Sequence, residues 1–135
     1  MIIQIVGLPA SGKTTALNKA KLLIDAYFFN IIDYSEDDLC KKLKGLSTEK
    51  KLCIVESAFG LELHSHVIKL KPSIALFKKN LSKRGIAYDC DHFEQLNDQI
   101  VLADYTAYST QELLKILKVL IPSKHLKDFY EKEKL

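Results

Sequence analysis

Eight residues near the amino terminus, Gly7-Leu8-Pro9-Ala10-Ser11-Gly12-Lys13-Thr14, restrict what this chain can fold into more than any other feature. They fit G-x-x-x-x-G-K-[ST] at every fixed position. The apolar run Ile2-Ile3-Gln4-Ile5-Val6 precedes them, and Ala16, Leu17, Ala20, Leu23 and Ile24 follow at helical spacing. A strand that turns through glycines into a helix brings successive backbone N–H groups and the positive end of the helix onto one point, which makes an anion cradle. Gly7, Ala10, Ser11, Gly12, Lys13, Thr14 and Thr15 are therefore the expected contacts of a nucleoside triphosphate. Lys13 is expected to bridge the β- and γ-phosphates, and the Thr14 hydroxyl to take one position on Mg²⁺.

The rest of the chain suits that opening. At 135 residues and 47% hydrophobic, it is read as one domain over 1–135 that buries roughly two-thirds of its unfolded surface, with 123–135 a charged tail forming a loosely docked helix. Net charge is +3, from 20 basic and 17 acidic residues, so composition does not announce a nucleic-acid binder. Nineteen of the basic residues are lysine and one, Arg84, is arginine, the better fork for phosphate oxygens. Cys40, Cys53 and Cys90 show no paired framework, which reads as a reducing, cytoplasmic compartment. No leader sequence and no apolar run of membrane-spanning length is read.

Apolar runs at 2–6, 28–32, 52–55, 66–70 and 100–103 alternate with segments of helical period. That pattern predicts a three-layer α/β fold, a five-stranded, mainly parallel sheet with helices on both faces. Helices are expected over 13–26, from Glu36 to Leu43 or beyond with Gly45 as the stop, from Pro72 to Gly85 with Ile74, Phe77 and Leu81 inward, and over 92–99. A last helix opens on Ser109 and Glu112, spaced as a capping box, and ends before Pro122.

A triphosphate site of this kind needs a strand-end carboxylate for the metal's water shell. Glu56 and Asp104 each follow an apolar run. Asp33 follows the second run at the carboxyl edge of the sheet, where open α/β sheets bind ligands. There it could position or deprotonate an acceptor hydroxyl, or simply cap the next turn. Glu36, Asp37 and Asp38 read as a solvated helix start. His64 and His66 share a strand face but lack a third ligand, and Cys90-Asp91-His92 is equally thin.

The glycine loop, the acid after the second strand and Leu76-Phe77-Lys78-Lys79-Asn80-Leu81-Ser82-Lys83-Arg84-Gly85 together resemble the small P-loop kinases. In texture the chain is most similar to the kinase domain of phage polynucleotide 5′-hydroxyl kinase. The resemblance implies that Asp33 orients or deprotonates the acceptor and that Arg84 lies on or near a lid and stabilises the transferred phosphoryl group. It also implies that the third strand lies nearest the first, which favours Glu56 over Asp104, and that Tyr105 or Tyr108 stacks on adenine, or merely packs. Two departures stand out: a short connection over 57–65, and few arginines. The function so implied is Mg²⁺-dependent transfer of the γ-phosphoryl of ATP to a nucleotide, a polynucleotide 5′-hydroxyl or a similar small acceptor, by positioning and charge stabilisation. The alternative is a reduced NTP-binding or NTP-hydrolysing module that regulates a partner. A GTPase is disfavoured because no N-K-x-D segment is present.

Overall fold

A computed structural model describes residues 1–7, 11–85 and 103–127. Five strands form one sheet: β1 (Ile2–Val6), β2 (Tyr27–Asn30), β3 (Cys53–Ser57), β4 (His66–Leu70) and β5 (Tyr105–Ala107), in the order β2-β3-β1-β4-β5. Every pairing is parallel. Four helices cover it among the described residues: α1 (Lys13–Leu23), α2 (Glu36–Thr48), α3 (Ile74–Lys83) and α4 (Thr110–Leu120). This is the expected three-layer architecture, and β3 lies beside β1 as anticipated.

Strand side chains alternate between two cores. Ile3, Ile5, Ile54 and Ile68 point to one face, where they pack with Ala16, Leu17 and Ala20 of α1 and Leu113 and Leu117 of α4. Ile2, Phe29, Cys53 and Val55 point to the other, against Leu39 and Leu43 of α2 and Leu61. One polar residue of β1, Gln4, is fully buried. Its amide nitrogen donates to the Leu61 carbonyl (2.9 Å) and Ser65 Oγ (2.7 Å), and its oxygen accepts the Leu61 N–H (2.7 Å). The short β3–β4 connection is thus tied down by one side chain.

Several boundaries differ from the sequence reading. Helix α1 ends at Leu23 rather than residue 26, because Ile24 turns extended and bridges antiparallel to Leu126. Helix α2 runs through Gly45 to Thr48: Leu46 packs on the same core one turn beyond Leu43, which outweighs the glycine's cost of about 1 kcal/mol. Ser73 caps α3, its Oγ accepting from the Leu76 N–H, so the helix begins at Ile74, and Ile74 is 46% exposed rather than inward. The fifth strand is Tyr105–Ala107, after the expected 100–103; of that run Ala103 is irregular and the rest lies outside the described residues. The helix expected over 92–99 and the tail beyond 127 also lie outside them. Ser109 caps α4 as expected, its Oγ accepting from the Glu112 N–H, while Glu112 Oε2 accepts from the Tyr108 N–H. No helix among the described residues is long and apolar enough to cross a membrane.

Candidate active site

The glycine loop leaves β1 at the carboxyl edge of the sheet. A Cβ on Gly7 would stand 2.8 Å from the Leu70 carbonyl oxygen and 2.9 Å from Ser11 Oγ, so no larger residue fits there. Gly12 caps α1 at φ 93°, a left-handed conformation that side chains resist. The Gly7 N–H donates to the Ala58 carbonyl at 3.2 Å, which fixes the loop against the end of β3.

Helix α1 then places Lys13, Thr14 and Thr15 on a cavity of about 540 Å³, whose other walls include Asn30, Glu56, Ser57 and Arg84. Lys13 Nζ donates to the Gly7 carbonyl, folded back over its own loop. Burial pushes its ammonium down to about 8; Glu56 works against that fall and Arg84 adds to it. Ser11 Oγ is buried with no hydrogen-bond partner among the described residues. A buried hydroxyl left unsatisfied costs free energy that a ligand oxygen or N–H relieves, and a phosphate group in this cradle would supply it.

Glu56 stands where it does because of register. Asn30 of β2 pairs directly with Glu56 of β3, and alternation points both toward α1. Asn30 Nδ2 donates to Glu56 Oε2 at 3.3 Å, and the Thr14 hydroxyl donates to Glu56 Oε1 at 3.3 Å. A hydroxyl and a carboxylate brought together in this way form the hard oxygen donor set that suits Mg²⁺. The rival acid, Asp104, precedes β5 instead of ending a strand, and its Oδ2 accepts the Val67 N–H at 2.8 Å. Its charge serves the sheet.

Asp33 is placed differently from the sequence reading. Asn30 Oδ1 accepts the Ile32 N–H at 3.2 Å, which curls Ile31–Asp33 into a 3₁₀ turn instead of continuing the strand. Asp33 consequently lines a second cavity of about 290 Å³ between α1 and β2, which shares Thr14, Asn30 and Glu56 with the first. Arg84, the C-cap of α3, lines the first cavity together with Asn80 and Lys83. Tyr105 lines neither cavity, because it sits on the far edge strand opposite Ile68 of β4, and Tyr108 lines neither as well. Ala10 lies outside the described residues. No group of three or more metal-ligating His, Cys, Asp or Glu side chains occurs among the described residues, His64 and His66 included.

Sequence reasoning missed Asn30 and Gln4. Asn30 carries no signal until the β2–β3 register is known. Gln4 did carry one, being the single polar residue within a strand that neighbours bury on both faces.

No family model matches this sequence, and no curated protein matches it by sequence. Solved structures do match the fold. The shikimate kinase of Aquifex aeolicus VF5 is 16% identical and aligns over 88% of this chain and 94% of that one with a TM-score of 0.55. A shikimate kinase from Acinetobacter baumannii, in complex with shikimate, is 15% identical and aligns over 90% and 95% with a TM-score of 0.47. The chain has the fold of the small P-loop kinases. Neither of these two structures is a polynucleotide kinase.

Proposed function

We propose that this protein is an ATP-dependent phosphotransferase acting on a small acceptor, with Mg²⁺ as cofactor. The observation that carries the proposal is the single cavity in which the glycine loop, Glu56 and the chain's one arginine meet.

The residues divide the work by charge. Lys13 leaves the Gly7 carbonyl and reaches the β- and γ-phosphates, whose negative charge offsets the desolvation of its ammonium. The loop amides and the Ser11 hydroxyl satisfy phosphate oxygens, so the orphaned hydroxyl finds a partner. Thr14 and Glu56 would hold Mg²⁺, which supplies charge neutralisation on the triphosphate. Asn30 holds Glu56 in place from the neighbouring strand. Arg84 faces the same space as Lys13 and stabilises charge on the group in transfer, where a forked guanidinium exceeds a lysine. Asp33, in the adjoining cavity, receives or orients the acceptor hydroxyl.

The test is transfer from γ-labelled ATP, with Mg²⁺, to a panel of sugars, polyols, nucleosides and nucleotides. Labelled acceptor is expected, with Lys13→Ala and Glu56→Gln each lowering the rate by about two to three orders of magnitude. Nucleotide turnover that proceeds at one rate with or without any acceptor would replace the kinase reading by a hydrolytic module.

A further inference from the structure

The two cavities differ in charge in a way that bears on what the acceptor can be. Three cations, Lys13, Lys83 and Arg84, line the first cavity. The second is lined by Asp33 and Glu56, the amides of Asn18 and Asn30, the Phe28 ring and one cation, Lys21. Lys21 Nζ lies 5.6 Å from the centroid of the Phe28 ring. Among the described residues, the side chains of Asn18 and Asp33 make no hydrogen bond or ion pair, so both stand ready for a ligand.

Two more lysines lie beside the second cavity without lining it: Lys42 Nζ is 5.7 Å from the centroid of the Phe29 ring, and Lys127 Nζ donates to the Lys21 carbonyl. Residues 22–40, which build the outer wall, contain no lysine or arginine and five acids, Asp25, Asp33, Glu36, Asp37 and Asp38. Recognition of a carboxylate or phosphate on an acceptor relies on a cationic, usually forked, partner. An anionic acceptor placed here would meet two carboxylates and one lysine.

We infer that the acceptor is a polyhydroxylated small molecule without an anionic group, held between α1 and β2 by Asp33, Asn18 and the Phe28 ring. This rests on the kinase reading and narrows it. Hydroxyl groups donate to carboxylates and accept from amides, and the apolar face of a sugar-like ring packs on an aromatic side chain. At about 290 Å³ the groove is at the lower end of small-ligand sites, which begin at about 300 Å³, so it takes one ring rather than a polymer segment. The wall of Thr14 and Glu56 common to both cavities brings the acceptor next to the triphosphate. In the transfer, the acceptor oxygen bonds to the γ-phosphorus as the bridging oxygen departs with its electron pair on ADP. The hydroxyl proton passes to the exposed Asp33 carboxylate and on to water.

Matched ligands test the inference on the full chain loaded with a non-hydrolysable ATP analogue and Mg²⁺. Glucose, glucosamine and gluconate form one set, and a nucleoside with its 5′-monophosphate a second. Binding is followed by ligand-observed NMR and titration calorimetry, and transfer by label from ATP. The neutral or amino member is expected to bind at least about tenfold more tightly than its acidic counterpart. Asp33→Asn should reduce that ratio and Asp33→Lys should reverse it, with nucleotide affinity unchanged in both. Equal or tighter binding of the anionic members, or no binding of any member to the nucleotide-loaded chain, overturns the inference. Label passed to an anionic acceptor overturns it while leaving the kinase reading intact. Neutral ligands that bind in the groove but take no label sink the kinase reading and leave the charge preference standing.

Discussion

The two faces of one sheet are built by different means. On the face covered by α1 and α4, Ile3, Ile5, Ile54 and Ile68 give a dry apolar layer, and polar groups appear only at its rim, as Asn30 and Glu56. On the face covered by α2, a glutamine sits at full burial inside the layer and holds a loop by three hydrogen bonds. The first face gains its stability from area removed from water, which is indifferent to direction. Its rim is free to hold groups chosen for chemistry. The second relies on directional bonds, because the short loop brings mainly Leu61 and Leu63 to bury.

The contrast can be tested from either side. Ile54→Ala empties the first face and is expected to cost about 3 kcal/mol in urea unfolding, with no polar group stranded. Gln4→Ala on the second should cost about 2 kcal/mol, because it leaves a buried N–H and C=O of Leu61 without partners. Gln4→Glu should do no better, since a carboxylate accepts the Leu61 N–H but cannot donate to its carbonyl. If Gln4→Leu proved as stable as the parent chain, directional bonding would not be what holds that face.

Next in size is a pH effect at the rim of the first face. Burial holds the Lys13 ammonium down to about 8 in the unliganded protein, and the charge of a bound triphosphate is expected to raise it. The bound state therefore holds more protons, and affinity is full below pH 8 and declines as pH rises through it. Calorimetry at pH 9 should give a Kd weaker by about tenfold than at pH 7, with proton uptake on binding. The smallest effect belongs to Gly45, on the exposed side of α2, where an added Cβ meets nothing within 4 Å. Gly45→Ala should raise stability by about 0.5 to 1 kcal/mol.

What the sequence disclosed followed from local chemistry. The glycine loop, the buried strands β1 and β4 and the cap Ser109 each depend on residues within one turn or strand of themselves. The neighbourhood of β1 and β3, on which the preference for Glu56 over Asp104 rested, was legible through the strand order that the resemblance to small kinases implies. The misplacements came from long-range contacts. Asp33 was read at a strand end because nothing local shows that the Asn30 side chain captures the Ile32 N–H. The resemblance put Tyr105 or Tyr108 in a loop at the adenine, or merely packing; because the strand falls on Tyr105–Ala107 instead of 100–103, Tyr105 lies within the edge strand rather than in a loop after it. Gly45 was read as a stop because its neighbour Leu46 finds its packing partners only in the folded protein.

The bridge between Ile24 and Leu126 sets an order of events in biosynthesis. The helix that follows the phosphate loop is closed off by residues 125–127: the Asp25 N–H donates to the His125 carbonyl at 2.6 Å, the Lys127 N–H to the Leu23 carbonyl, and Lys127 Nζ to the Lys21 carbonyl. These are among the last described residues to leave the ribosome, and closing a loop of about a hundred residues carries an entropic penalty that local pairing does not. The nascent chain holds the whole phosphate loop long before it can fix where the following helix ends. A ribosome-stalled chain lacking these residues would leave α1 free to run on toward Ala26, so the helix acquires its final length only once residues 125–127 have emerged.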